Sequence, residues 1–242
     1  MSTQQFKYSN SVIAYPLLML FMVWLVFWYQ VRVDYGIKSL GIRPHKLEGL
    51  LGVFTSPFIH GDIEHLYNNS IPLFVLSLAL FYFYNKIAWK VIFYGILVSG
   101  FFTWLIASKG NHIGASGLIY VLVSFIFFKG IFAKHYRLIA LSLIVIFLYG
   151  SLIWYVFPIK DGMSWEGHLS GLITGLIFAI IFRKRVAKPE RYHWEKPNYN
   201  EEDDPFMRHF DENGNFIEHL QDEDSKTEDT TDVKYIFKEN KD

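Results

Sequence analysis

Between Lys109 and Lys129 the chain reads GNHIGASGLIYVLVSFIFF (residues 110–128). The stretch opens polar and glycine-rich, then continues apolar without a single charge. A helix needs roughly 20 residues to cross the hydrocarbon of a bilayer. The stretch therefore reads as a membrane span with a serine, Ser116, at its entrance. The polar residues Ser108 to Ile113 before it must face protein or water, because lipid leaves backbone groups unsatisfied.

Working outward, five more uncharged runs lie between Lys7 and Arg32, Glu64 and Lys86, Lys90 and Lys109, Arg137 and Lys160, and Glu166 and Arg183. Each of the six is about 16–24 residues long, near the length of a spanning helix. They are continuously apolar, whereas the strands of a membrane barrel alternate. The expected fold is an all-α polytopic membrane protein, a bundle of six transmembrane helices.

Composition agrees. Of 242 residues, 52% are hydrophobic, 19% aromatic and 19% charged, against about 25% charged in soluble domains. The net charge of zero hides two halves: residues 1–187 hold 15 basic and 6 acidic residues, and residues 188–242 hold 8 and 17. The reading is a six-span domain, 1–187, followed by an acidic cytoplasmic tail, 188–242, largely disordered, with less polar islands at Asn215-Phe216-Ile217 and Tyr235-Ile236-Phe237. No coherent basic surface is present for nucleic acid. Without cysteine there is no disulfide, no thiolate-held zinc and no cysteine nucleophile. The N-terminal MSTQQFKYSN does not read as a cleavable signal.

Lys and Arg set the orientation. Lys86 and Lys90, then Lys134 and Arg137 with Lys129 at the helix end, then Arg183, Lys184, Arg185 and Lys188, mark one side as cytoplasmic. Both termini fall on that side. The first loop, residues 32–64, dissents with Arg32, Lys38, Arg43 and Lys46; its apolar residues suggest that it lies partly in the membrane interface.

Three segments place polar groups at membrane depth, where they are costly and functional by default. In Gly114-Ala115-Ser116-Gly117, a serine begins a helix beside unpaired N–H groups that suit an oxyanion. Taken alone, the tetrapeptide reads more readily as a plain helix N-cap. In Gly167-His168-Leu169-Ser170-Gly171, continuing to Gly175, a histidine opens the last span on the face of a Gly-xxx-Gly spacing that lets another helix come close. A packing motif with an incidental histidine is the alternative. In the third, His60 precedes His65 and Asn69, which stand one helical turn apart. Both could donate to a developing negative charge. His60, His65, His112 and His168 could also be metal ligands, but no His-Glu-x-x-His occurs and the five-residue spacing of His60 and His65 is poor for one helix.

Together these segments resemble the rhomboid family of intramembrane serine proteases, in the family's order and on the second, fourth and sixth spans. The resemblance covers roughly residues 10–185. It implies Ser116 as nucleophile and His168 as base, in a dyad without an acid. It implies His65, Asn69 and the Ser116 N–H as oxyanion donors. Tyr120 matches an aromatic stacked on the catalytic imidazole, and His60 a supporting histidine. Gly114 and Gly117 belong to the serine motif, and Gly171 and Gly175 to the close contact of the fourth and sixth spans. The Trp-Arg pair that some members carry in the first loop is missing.

The expectation is a serine endopeptidase of the plasma (inner) membrane, with its site opening to the external side. It would cleave single-span membrane-protein substrates in or near the bilayer without cofactor or metal. The alternatives are an inactive rhomboid-like protein that binds membrane clients, and a transporter or metal carrier. The latter would want Asp or Glu inside the spans, and the six runs contain none.

Overall fold

A computed structural model describes residues 8–33, 36–159, 162–182, 192–211 and 213–217. The chain divides into two compact units, Met1–Pro189 and Glu190–Asp242.

The first unit is helical, and its only extended pairing among the described residues is the isolated bridge of Ile42 with His112. Its main helices are α1 (Ser11–Val33), α2 (Ile63–Phe83), α3 (Asn85–Ile106), α4 (Ser116–Ala133), α5 (Tyr136–Tyr149) and α6 (Trp165–Ile181). The first four are long and apolar enough to cross a membrane, as is α5 with the 3₁₀ turn Gly150–Val156 that extends it. At 17 residues, α6 is an apolar helix shorter than these. The protein is an integral multi-pass membrane protein.

Local chemistry sets the helix ends. Asp62 caps α2, its carboxylate accepting the His65 N–H at 2.7 Å, with Glu64 favourable in the first turn. Ser164 caps α6 by accepting the Gly167 N–H at 3.2 Å. Lys134, in the left-handed region at φ 51°, ends α4.

α4 is the middle of the bundle. Of its apolar window 61% is buried, against 17% for α1, whose large apolar residues face outward as lipid contact requires. Its tightest neighbour is α6. A methyl group on Gly171 would collide with the Gly117 carbonyl and Tyr120, and one on Gly175 with the Val121 carbonyl and Ser124. Small residues thus let the two backbones touch, since lipid gives no hydrophobic drive for helix association.

The first loop is built against this core. Gly100 of α3 admits the backbone of Val53, in the short helix Gly52–Thr55. Ile42 and His112 exchange both backbone hydrogen bonds at 2.9 Å. Asn111 Nδ2 donates to the Lys38 carbonyl, and Trp104 Nε1 to that of Lys46. Leu47, Leu51 and Phe54 point outward.

Lys129 corrects the reading from the sequence. It is neither at a helix end nor a surface charge: α4 continues to Ala133, and Lys129 is fully buried. Its Nζ donates to the carbonyl of Phe182, at the end of α6. The C-terminal end of a helix carries partial negative charge and unpaired carbonyls, which makes it a natural partner for an ammonium. The basic residues expected after α6, Arg183 to Lys188, lie outside the described residues.

In the second unit the described residues carry the 3₁₀ turns His193–Glu195, Glu201–Asp203 and Met207–His209. Phe210 bridges Phe216 around a turn in which the Asp211 carboxylate accepts the N–H groups of Asn213 and Asn215. Tyr235-Ile236-Phe237 lies outside the described residues.

Candidate active site

The site forms where α4 and α6 begin. Ala115, not Ser116, occupies the cap position of α4, and it makes no side-chain cap bond. Ser116 is the first helical residue, so its hydroxyl is not used on its own backbone. Its Oγ lies 3.1 Å from His168 Nε2. Ser116 is thus not the cap of α4, and His168 is hydrogen bonded to it across the helix contact.

The proton positions follow from the partners. His168 Nδ1 is 2.8 Å from the Tyr155 carbonyl oxygen, which can only accept. Nδ1 therefore carries the ring proton, and in the neutral imidazole Nε2 is left as the acceptor of the Ser116 hydroxyl. The Tyr120 ring lies against the imidazole, 4.4 Å between centroids and 12° from parallel. Its hydroxyl donates to the Leu152 carbonyl at 2.7 Å. One turn, Gly150–Val156, thus fixes the imidazole and the ring stacked on it.

His65 and Asn69 from α2 stand against Gly114, two residues before Ser116. Gly114, at φ +108°, brings the loop against them; a Cβ there would run into the His65 imidazole and close on the Asn69 amide. The third histidine is fully buried behind them. His60 Nε2 receives Asn69 Nδ2–H at 3.1 Å and the Ala115 N–H at 3.4 Å. A nitrogen that accepts two donors is unprotonated. Burial above all, with the neighbouring His65 next, holds the His60 pKa down to about 4. His60 is therefore a neutral peg that sets the Asn69 amide and the first turn of α4. Gln30 of α1 clamps its backbone, Nε2 donating to the His60 carbonyl at 2.7 Å.

A cavity of about 30 Å³ opens beside Ser116, lined by Ser99, Thr103, His112, Gly114, Ser164 and Gly167 among others. About 10–15 Å³ admits one water. His112 Nδ1 lies 2.5 Å from Ser164 Oγ, and its Nε2 faces the Lys109 carbonyl at 3.2 Å. Burial lowers the His112 pKa; the Glu166 carboxylate and the Lys109 carbonyl act against it.

All ten residues picked from the sequence gather here or along the seam below. Gly117 and Gly171 face each other just under the dyad, and Gly175 lies further down. Sequence reasoning missed the Tyr155 and Leu152 carbonyls, which carry no side-chain signature. It also missed Ser164, which a Ser-x-x-Gly-His spacing before the last span would flag as a cap. His112, weighed as a metal ligand, is engaged with Ser164 and Lys109 instead.

The rhomboid domain family matches residues 48–185, more than half of the chain. An uncharacterized protein of Mycobacterium tuberculosis is 37% identical over 161 residues, covering 62% of this chain and 65% of its own length. One of Mycobacterium bovis matches equally, and one of Mycobacterium leprae is 32% identical over 173 residues, 65% of this chain and 64% of its own. The chain thus spans just under two thirds of these curated relatives.

Proposed function

Since this chain belongs to the rhomboid family, we propose that it is an intramembrane serine endopeptidase using Ser116 as nucleophile and His168 as general base. The observation that carries this reading is the 3.1 Å contact of Ser116 Oγ with His168 Nε2, on an imidazole whose other nitrogen is committed to the Tyr155 carbonyl.

Ser116 Oγ adds to the scissile carbonyl carbon as its proton passes to His168 Nε2. The imidazolium keeps its Nδ1–H on Tyr155. The tetrahedral oxyanion takes hydrogen bonds from the His65 ring N–H, the second Asn69 amide proton and the Ser116 N–H, which no helical carbonyl claims. The intermediate collapses, breaking the C–N bond as Nε2 returns the proton to the leaving amine. A water from the adjoining cavity then adds to the Ser116 ester, with His168 again taking and returning the proton, and free acid and serine result.

The substrate would be a single-span membrane protein. Peptide bonds inside a regular helix are shielded, so the cleaved segment should carry helix breakers and a small residue. By the charge distribution, both termini lie in the cytoplasm and the site opens to the external face of the plasma membrane.

The test is a fluorophosphonate probe on the purified protein. Ser116 should label, Ser116→Ala and His168→Ala should not, and a chelator should change nothing. A folded wild-type protein that does not label would sink this reading and favour an inactive client-binding member.

A further inference from the structure

Four residues before Ser116 stands His112, and four before His168 stands Ser164. This second pair is also hydrogen bonded, at 2.5 Å against 3.1 Å for the first. Both pairs join residues 52 apart, with serine and histidine exchanged between them. Two parallel Ser–His bonds therefore tie the approach to α4 to the approach to α6.

The outer pair has a defined polarity. His112 Nε2 faces the Lys109 carbonyl, which only accepts, so Nε2 carries the proton and Nδ1 accepts that of the Ser164 hydroxyl. Ser164 Oγ in turn accepts the Gly167 N–H, and the Ser164 carbonyl accepts the His168 N–H at 3.2 Å. The His112 backbone is anchored independently, by its two bonds to Ile42. A chain of contacts thus runs from the first loop through His112 and Ser164 to the backbone of His168. Ser164 is unsuited to be a second nucleophile, because its oxygen is occupied as the cap of α6.

We propose that His112 and Ser164 are positioning residues: a clamp that sets the His168 imidazole against Ser116. This rests on the hydrolase reading above. A capping serine alone would need no histidine; here the cap's hydroxyl proton has one acceptor, and that acceptor is held by a different loop.

The experiment measures the rate constant of fluorophosphonate labelling on the full chain in detergent, together with thermal unfolding. A loss of register near the reacting atoms costs up to about 10²-fold, so His112→Leu should slow labelling by about 10–100-fold. His112→Asn, whose Oδ1 takes the place of Nδ1, should return most of the rate. Ser164→Ala should match His112→Leu, and the double variant should be no slower than the worse single one, as expected of residues acting as a unit. The ring ¹⁵N signals of His168 give a readout independent of the probe: one Nδ1–H tautomer in the wild type, an averaged one in His112→Leu. The clamp is overturned if His112→Leu labels at the wild-type rate with an unchanged His168 spectrum. It is equally overturned if Asn loses as much as Leu, or if the two losses multiply. Should the wild type itself fail to label, the hydrolase reading falls, and the ¹⁵N comparison still decides the clamp.

Discussion

The seam between α4 and α6 has two polar regions, and they are wired differently. Toward the far end, three polar side chains are spent on backbone carbonyls. Ser124 Oγ donates to Leu172, Ser142 of α5 to Phe127, and Lys129 to Phe182. Near the helix starts, side chains meet side chains: Ser116 with His168, His112 with Ser164, Asn69 with His60. Such pairs are only about 10–15% of protein hydrogen bonds. A proton given to a carbonyl stays put and locks two helices. A proton shared between two side chains can change owner, and only that arrangement supports acid–base work.

The largest effect should come from breaking the inner pair. Ser116→Ala should lower substrate cleavage by about 10⁴–10⁶-fold with thermal unfolding unmoved; a residual rate near wild type would erase the distinction between the two ends. Next come the proposed oxyanion donors. His65→Ala and Asn69→Ala should each cost about 10²–10³-fold in kcat with KM nearly constant; a change confined to KM would mean that these residues bind substrate uniformly and not the transition state. The far end should answer in stability alone. Lys129→Met strips a charged donor from the part-buried Phe182 carbonyl, a loss of about 1–3 kcal/mol, read as a lower unfolding temperature at an unchanged pH–rate profile. A shifted profile there would couple the two ends.

A last effect, confined to acid, concerns His60. Its pKa falls from 6.5 in the unfolded chain to about 4 in the fold. Between those values the unfolded chain binds more protons, so stability declines as pH drops from 6.5 toward 4 and is flat above. The unfolding temperature in detergent should follow that course in the wild type. It should follow it less in His60→Gln, whose amide oxygen can accept the same two donors without titrating.

Much of this was legible in the sequence because lipid is an intolerant solvent. It demands uninterrupted apolar runs, and it penalises every polar group that strays into them, so Ser116, His168, His65 and Asn69 stood out against their surroundings. What escaped notice did so for physical reasons. Every residue has a carbonyl, so nothing marks Tyr155 or Leu152 as the ones that orient the imidazole and its stacked ring. Lys129 reads as a boundary charge because a lysine at the end of an apolar run usually snorkels to water. Its burial depends on where α6 stops, some 50 residues later. His112 offers an imidazole that suits a metal or a hydroxyl, and its pairing with Ser164 appears only in the tertiary structure.

In proteases with an Asp beside the histidine, the orienting group can be deleted by one codon or neutralised by acid. Here that duty belongs to the peptide unit of Tyr155, which neither genetics nor pH can remove. In the proposed enzyme the orientation of the imidazole is therefore lost mechanically, when residues 150–156 are pried away from α6. A molecule wedged beneath that turn would act as an inhibitor without ever touching the serine.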